Sequence, residues 1–365
     1  MGLSLGIVGL PNVGKSTLFN ALSHAGAEVS NYPFCTKSKN LGVVPVPDER
    51  LEKIKTFMKS ANAVPTGIEF VDIAGLVKNA HKGEGLGNQF LSYIREVDAI
   101  AHVVRCFPDP NIVHVEGSVD PKRDIETINI ELTLADMAAV EKRSSALKAV
   151  IKSGSKDIRK ELEAVEKIKK HLEEGIPLRL LELSDEEKHE IRDLHLLTVK
   201  PLIYIANIDE RQLANPDDPA LAAVYKAASN EKTKAVPICA KLEMDIEELS
   251  EEEAKEYERD IGLAELGLSR LIKESYQLLD LVTFFTANAK ECRAWTVKRG
   301  SPAYEAAGKV HTDMQKGFIF AEVMHYADVV NAQSHANARE KGLLRLEGKD
   351  YIIRDGDLVY FKFNV

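Results

Sequence analysis

Cysteine is scarce in this sequence: four residues in 365, at Cys35, Cys106, Cys239 and Cys292, with no Cys-x-x-Cys pair. That spacing excludes a zinc ribbon and a disulfide framework, and reduced thiols are the expected state. Long apolar runs are missing as well. None reaches the roughly 18 residues that a membrane-spanning helix needs. The apolar residues 3–10 are too short for a secretory signal, and no basic segment precedes them. A cytoplasmic protein without a membrane partner is the expectation. Positive charge is not in excess either. Lys and Arg number 48 against 57 Asp and Glu, a formal net charge of −9. General attraction to nucleic acid is thereby excluded, and specific DNA binding is not expected. Only a local basic group, such as Lys290, Arg293, Lys298 and Arg299, could meet RNA phosphate.

What remains is an ordinary globular composition, 44% hydrophobic and 29% charged, in a chain long enough for two or three domains. Short apolar runs at residues 3–8, 68–72, 99–104, 202–205 and 235–238 alternate with helical segments. This pattern predicts a parallel sheet covered by helices. Residues 121–198 interrupt it with a charged helical stretch. Ile128, Leu132, Ala135 and Ala139, then Ile158, Leu162, Val165 and Leu172, follow a heptad frame, and Gly154 marks a turn between them. Two helices joined there form an antiparallel coiled-coil hairpin or a pair of packed surface helices. A Glu-rich helix is expected over residues 243–261. From residue 281 onward, strand-like pieces at 282–285, 293–296, 317–323, 351–353 and 359–363 predict a small mixed domain. Asp355-Gly356 supplies a turn there. The expected division is residues 1–120 with 199–280 for a nucleotide-binding domain, 121–198 for the insertion and 281–365 for the last domain.

Residues 9–16 read Gly-Leu-Pro-Asn-Val-Gly-Lys-Ser directly after the first apolar run. A polyphosphate needs concentrated positive potential without bulky side chains. Gly9 and Gly14 let successive N–H groups point inward, Lys15 reaches the β- and γ-phosphates, and Ser16 offers a hydroxyl to Mg²⁺. The following helix adds the positive end of its dipole. Thr36, in a polar loop, can complete the metal site. Asp72, opening Asp72-Ile73-Ala74-Gly75, can hold a metal-bound water, and Gly75 can donate to the γ-phosphate. Leu76 stands where many small GTPases carry a water-orienting glutamine, and its side chain cannot hydrogen-bond. His81, Lys82, Glu84 and His114 are the candidates to orient water instead. Gly83, Gly85 and Gly87 suggest a loop that orders on nucleotide binding.

Asn207-Ile208-Asp209-Glu210 follows a strand where a GTPase carries Asn-Lys-x-Asp. Ile208 replaces the lysine and Glu210 the aspartate, so the bidentate carboxylate that reads guanine is altered. Asn207 and the backbone of Ile208 could read the adenine edge instead. Cys239-Ala240-Lys241 resembles the last base-side loop of such proteins.

Together these motifs resemble the YchF family of Obg-related P-loop proteins over nearly the whole chain. The resemblance implies an α/β fold: a Ras-like nucleotide domain, an inserted antiparallel coiled-coil domain and a C-terminal β-grasp (TGS) domain. It implies ATP in preference to GTP, held by Asn12, Val13, Gly14, Lys15, Ser16 and Thr17, with Asn207 and the Ile208 backbone at the base. Ser16 and Thr36 become the Mg²⁺ ligands, Lys15 stabilises the transferred charge, and His114 takes the place of the missing glutamine. Asn12 matches an asparagine that in some relatives helps to hold K⁺. Residues 37–40, Lys-Ser-Lys-Asn, depart from the family pattern of the metal-binding loop. The resemblance further implies association with the ribosome or its large subunit. The expected function is a Mg²⁺-dependent ATPase gating that association. The alternative is a GTP-binding translation switch whose main role is partner binding.

Overall fold

The computed structural model describes residues 3–25, 41–73, 86–150, 156–215, 217–260, 265–332 and 335–364. In chain order, the strands of the first two-thirds are β1 (Ser4–Val8), β2 (Leu41–Pro45), β3 (Asn62–Val64), β4 (Gly67–Asp72), β5 (Ala99–Arg105), β6 (Leu202–Asn207) and β7 (Ala235–Ile238). All but β3 form one sheet, in the order β2-β4-β1-β5-β6-β7. Pairings β1–β4, β1–β5, β5–β6 and β6–β7 are parallel. The sequence dictates this arrangement. β5 and β6 are buried at every position, as continuous apolar strands must be when helices cover both faces. Parallel pairing has a consequence for function. It brings the loops that follow β1, β5, β6 and β7 to the same edge of the sheet.

Helices α1 (Lys15–Ala25), α2 (Glu49–Met58), α3 (Leu86–Glu96), α4 (Pro121–Val150) and α5 (Lys156–Glu173) follow in order. The last two confirm a helical hairpin. They pack together and only residues 151–155 separate them, so they run antiparallel. Residues 151–155, including the Gly154 read as a turn, lie outside the described residues. Val140 and Leu147 meet Ala164, Val165, Ile168 and Leu172 in their shared core. The first turns of α4 do something else. Ile125, Ile128 and Leu132 are buried but are not among the residues of that shared core, and α4 also packs on β5 and on a later helix, α8 (Pro219–Asn230). Here α6 is Asp185–Ile191 and α7 is Glu210–Leu213. The insertion is therefore rooted in the sheet domain for part of its length. Polar bonds fasten the root. Glu231 accepts from Asn129 Nδ2 at 2.8 Å, Tyr204 Oη at 2.9 Å and Arg179 Nη1 at 2.7 Å. The carboxylate of Asp136 accepts the N–H groups of Leu197 and Thr198, both at 2.8 Å. Apolar heptad positions alone do not reveal which partner each turn faces.

The Glu-rich stretch forms two helices, α9 (Ala240–Glu247) and a second over Glu251–Asp260. The second sheet contains β8 (Leu281–Ala287), β9 (Glu291–Lys298), β10 (Phe318–His325), β11 (Arg345–Glu347) and β12 (Asp357–Phe363), ordered β11-β10-β12-β8-β9-β3. A β8–β9 hairpin, a covering helix at Ala303–Val310 and a final strand parallel to β8 make a β-grasp. Residues 351–353, read as a strand, form only one bridge, Ile352 to Pro302. The strand that pairs with β10 at that edge is β11 instead.

By internal contacts the chain divides into two units, Met1–Val43 with Glu69–Leu271, and Val44–Ile68 with Ile272–Val365. Residues 44–68 thus pack with the C-terminal sheet, although in sequence they fall within the stretch assigned to the nucleotide-binding domain. Leu51 and Ile54 of α2 join Phe285, Cys292, Ala294, Met324 and Leu358 in one core, and β3 pairs with β9. Arg50 bridges Asp48 at 2.7 Å and Asp355 at 2.6 Å. An amphipathic helix reads the same whichever sheet it covers, so sequence pattern could not assign it. Among the described residues no helix is long and apolar enough to cross a membrane.

Candidate nucleotide-binding site

At the carboxyl edge of the parallel sheet lies a cleft of about 890 Å³. Four loops line it: residues 12–17 after β1, 107–112 after β5, 207–211 after β6 and 240–244 at α9. Its size suits a ligand of nucleotide dimensions.

The first loop depends on glycine. A Cβ on Gly9 would lie 2.5 Å from the carbonyl oxygen of Val103, so only a bare backbone fits beside β5. Gly14 has φ +94°, in the region that side chains disfavour, and a Cβ there would lie 2.1 Å from Nδ2 of Asn207. Asn12 takes φ +63°, which asparagine tolerates better than most residues. Val13 is buried and anchors the loop, and Gly14 accepts the first helical bond, from Leu18 N–H at 3.0 Å. Ser16 is exposed at the start of α1 and Thr17 is half-buried beside it.

Lys15 is buried, and its ammonium donates to the carbonyls of Gly9 at 3.1 Å and Leu10 at 2.8 Å. Burial lowers its pKa to about 8, against a smaller raising effect of Asp72. Asp72 ends β4, next to Ile7 of β1. Burial raises its pKa, and Lys15 opposes that shift. The ammonium and the carboxylate thus sense each other across the mouth of the loop. The depressed Lys15 value has a measurable consequence. A bound polyphosphate favours the charged ammonium, so its pKa rises on binding. Affinity is then level below about pH 8 and falls up to tenfold per pH unit above it. Calorimetry at pH 8 in buffers of different ionisation enthalpy is expected to show uptake of about half a proton. Zero uptake would mean that Lys15 is fully charged before binding. For folding the sign is opposite to that of a paired lysine. Charged Lys15 opposes folding below about pH 8, and the penalty disappears as pH rises towards the unfolded value of 10.5.

On the base side, Asn207 acts as a brace. Its Nδ2 donates to the Val13 carbonyl at 2.8 Å, and its Oδ1 accepts the Ala240 N–H at 3.2 Å. Its amide therefore ties two walls of the cleft together. Ile208 is buried and its N–H donates to the Ile238 carbonyl at 2.9 Å. Asp209 and Gln212 form a reciprocal capping box at the start of α7. The Asp209 N–H donates to Gln212 Oε1 at 2.9 Å, and Asp209 Oδ1 accepts the Gln212 N–H at 3.0 Å. Glu210 is exposed on the cleft wall. Gln212 did not stand out as a site residue, although the Asp-x-x-Gln spacing of a capping box was present in the sequence.

The loop after β5 carries His114. Its side chain is buried. Its Nδ1 accepts the Glu116 N–H at 3.1 Å, so Nε2 carries the proton that it shares with Asp124 Oδ2 at 2.8 Å. The neighbouring Val113 carbonyl accepts from Asn12 Nδ2 at 3.0 Å, which ties this loop to the phosphate loop. The structure thus gathers Asn12, Gly14, Lys15, Ser16, Thr17, Asn207 and Ile208 around one cleft, while Val13 is buried within the same loop and His114 follows Val113, the residue bonded to Asn12. Thr36, Gly75, Leu76, His81, Lys82, Glu84, Gly83 and Gly85 lie outside the described residues.

Two family models match the chain. YchF-GTPase_C, described as a protein of unknown function, covers residues 281–364, and MMR_HSR1, a 50S ribosome-binding GTPase, covers residues 4–143. Among curated proteins, the ribosome-binding ATPase YchF of Bacillus subtilis (strain 168) is 50% identical and that of Escherichia coli O157:H7 52% identical. Each comparison spans 100% of both chains. Among solved structures, the Schizosaccharomyces pombe YchF GTPase superimposes with a TM-score of 0.90 at 37% identity, covering 99% of this chain and 98% of that one.

Proposed function

The chain belongs to the YchF family, and from that premise we propose that it hydrolyses ATP to ADP and phosphate in a Mg²⁺-dependent reaction, as a ribosome-associated factor. It is a nucleoside triphosphatase, in keeping with relatives of equal length named ribosome-binding ATPases. The same names support the ribosome as its partner.

The preference for ATP is carried by one observation at the base rim. Ile208, Asp209 and Ala240 line the cleft, and each commits its N–H inside the protein. Guanine presents the O6 acceptor there and needs a donor, whereas adenine presents the N6 amine and needs an acceptor. With its N–H held in the β6–β7 ladder, the Ile208 backbone has its carbonyl to offer, which suits the amine. Glu210 weighs on the same side, because it replaces the shorter carboxylate that reads guanine. In matched titrations ATP is expected to bind at least ~10-fold more tightly than GTP, about 1.4 kcal/mol. Tighter binding of GTP would remove the assignment.

The donor set suits magnesium. Ser16 presents an exposed hydroxyl, a hard oxygen ligand, Asp72 a carboxylate that can hold a metal-bound water, and Thr36 is proposed as the second protein ligand. When bound, Mg²⁺ would neutralise charge on the β- and γ-phosphates. Asn12 is proposed to contribute to a K⁺ site beside them. The chain's own groups supply the rest. The N–H groups at the start of α1 would face the anion, and Lys15, whose ammonium has a third proton free of the two carbonyls, would meet the charge that grows on the β–γ bridging oxygen as ADP departs and the γ-phosphoryl group passes to water. His114 is proposed to orient the attacking water once it leaves Asp124.

A further inference from the structure

Arg105 is the last residue of β5 and is only 1% exposed. A guanidinium so deeply buried usually faces a carboxylate. Here its three nitrogens reach three backbone carbonyls of the following loop. Nε donates to Phe107 at 3.1 Å, Nη1 to Ile112 at 3.0 Å and Nη2 to Asp109 at 3.1 Å. The same group lies over the Phe107 ring, 4.6 Å from its centroid. Phe107, Asp109 and Ile112 line the nucleotide cleft.

The loop has ties on both sides of the cleft. At its start, the Cys106 N–H donates to the Asn207 carbonyl at 2.8 Å, and the Cys106 carbonyl accepts from Gln212 Nε2 at 3.1 Å. Directly after Ile112, Val113 is bonded to Asn12, and the next residue is His114. Arg105 thus sits at the centre of a loop that touches the base side at one end and the phosphate side at the other. A planar fork with fixed donor directions can hold three carbonyls in one curve, and a lysine ammonium on a flexible stem cannot hold them in the same plane.

We propose that Arg105 is a positioning residue for the triphosphatase reaction: by gathering the carbonyls of Phe107, Asp109 and Ile112 it sets the curve of the cleft wall and, through it, the place of His114. The proposal rests on the triphosphatase reading but not on the choice of base. It is therefore tested with whichever of ATP or GTP the wild-type chain binds more tightly, so an error in the base leaves it intact. Full-length Arg105→Gln and Arg105→Lys are compared with wild type well below their melting temperatures. Both are expected to lose at least about 10-fold in kcat while the nucleotide Kd changes by less than about 3-fold. Arg105→Lys, which keeps the charge, groups with Arg105→Gln rather than with wild type. It also carries the test if the glutamine variant does not fold. A purely structural arginine would lower the Tm and leave kcat per folded molecule unchanged. That result, or a loss confined to Kd, overturns the proposal.

Discussion

Replacing Gly14 by alanine is expected to weaken triphosphate binding on the order of 100-fold. Two costs combine. A side chain at φ +94° is strained, by about 1–3 kcal/mol at such positions. The new Cβ would also lie 2.1 Å from Asn207 Nδ2, the atom that holds the Val13 carbonyl. Either the loop opens or the brace lets go, and both outcomes turn N–H groups away from the phosphates. An upper strain of about 3 kcal/mol alone corresponds to roughly 150-fold in affinity. Isothermal titration with Mg-nucleotide measures it. An affinity within about 3-fold of wild type would mean that the loop is not held as described.

The second large effect is on chemistry rather than binding. His114→Ala is expected to lower single-turnover hydrolysis on the order of 100-fold while nucleotide affinity stays within about 3-fold. The motive is positional. Leu76 has no hydrogen-bonding group to orient water, and His114 is the imidazole on the loop that Asn12 ties to the phosphate loop. Its ring is fully engaged by Asp124 and Glu116 in this structure, so it must exchange the Asp124 carboxylate for water to act. An unchanged single-turnover rate removes His114 from the mechanism and leaves it as a bond that fixes the start of α4.

Much of the architecture was legible because its signals are local. Apolar runs of strand length, buried at every position in β5 and β6, announce a parallel sheet wherever they fall. The helical insertion and the β-grasp strands were legible for similar reasons. The failures also share a cause. Residues 351–353 look like a strand, yet Tyr351 places its hydroxyl on the buried Asp357 and only Ile352 bridges. Ile128 and Leu132 continue the heptad frame of α4, yet they are not part of the core it shares with α5, and α4 packs on α8 and β5 as well. Residues 44–68 look like any helix–strand segment between two strands of the first sheet, yet their apolar face completes the core of the second. Periodicity states that a face is buried. It does not state what buries it.

The same distinction divides the site. By itself the sequence pointed to a triphosphate and to the loop that would hold it. The spacing of Gly9, Gly14, Lys15 and Ser16 is a local geometric requirement that few other tasks impose. Only the tertiary structure decided which backbone donors at the cleft rim are already engaged and how its walls are tied together. Ile208, Asp209 and Ala240 look like free donors until β7, Gln212 and Asn207 claim their N–H groups. Lys15 has an ordinary pKa until the fold buries it. Arg105 is one more cation at a strand end until three carbonyls of its own loop converge on it. A hydrogen bond or a desolvated charge depends on partners that the chain brings together only when it folds.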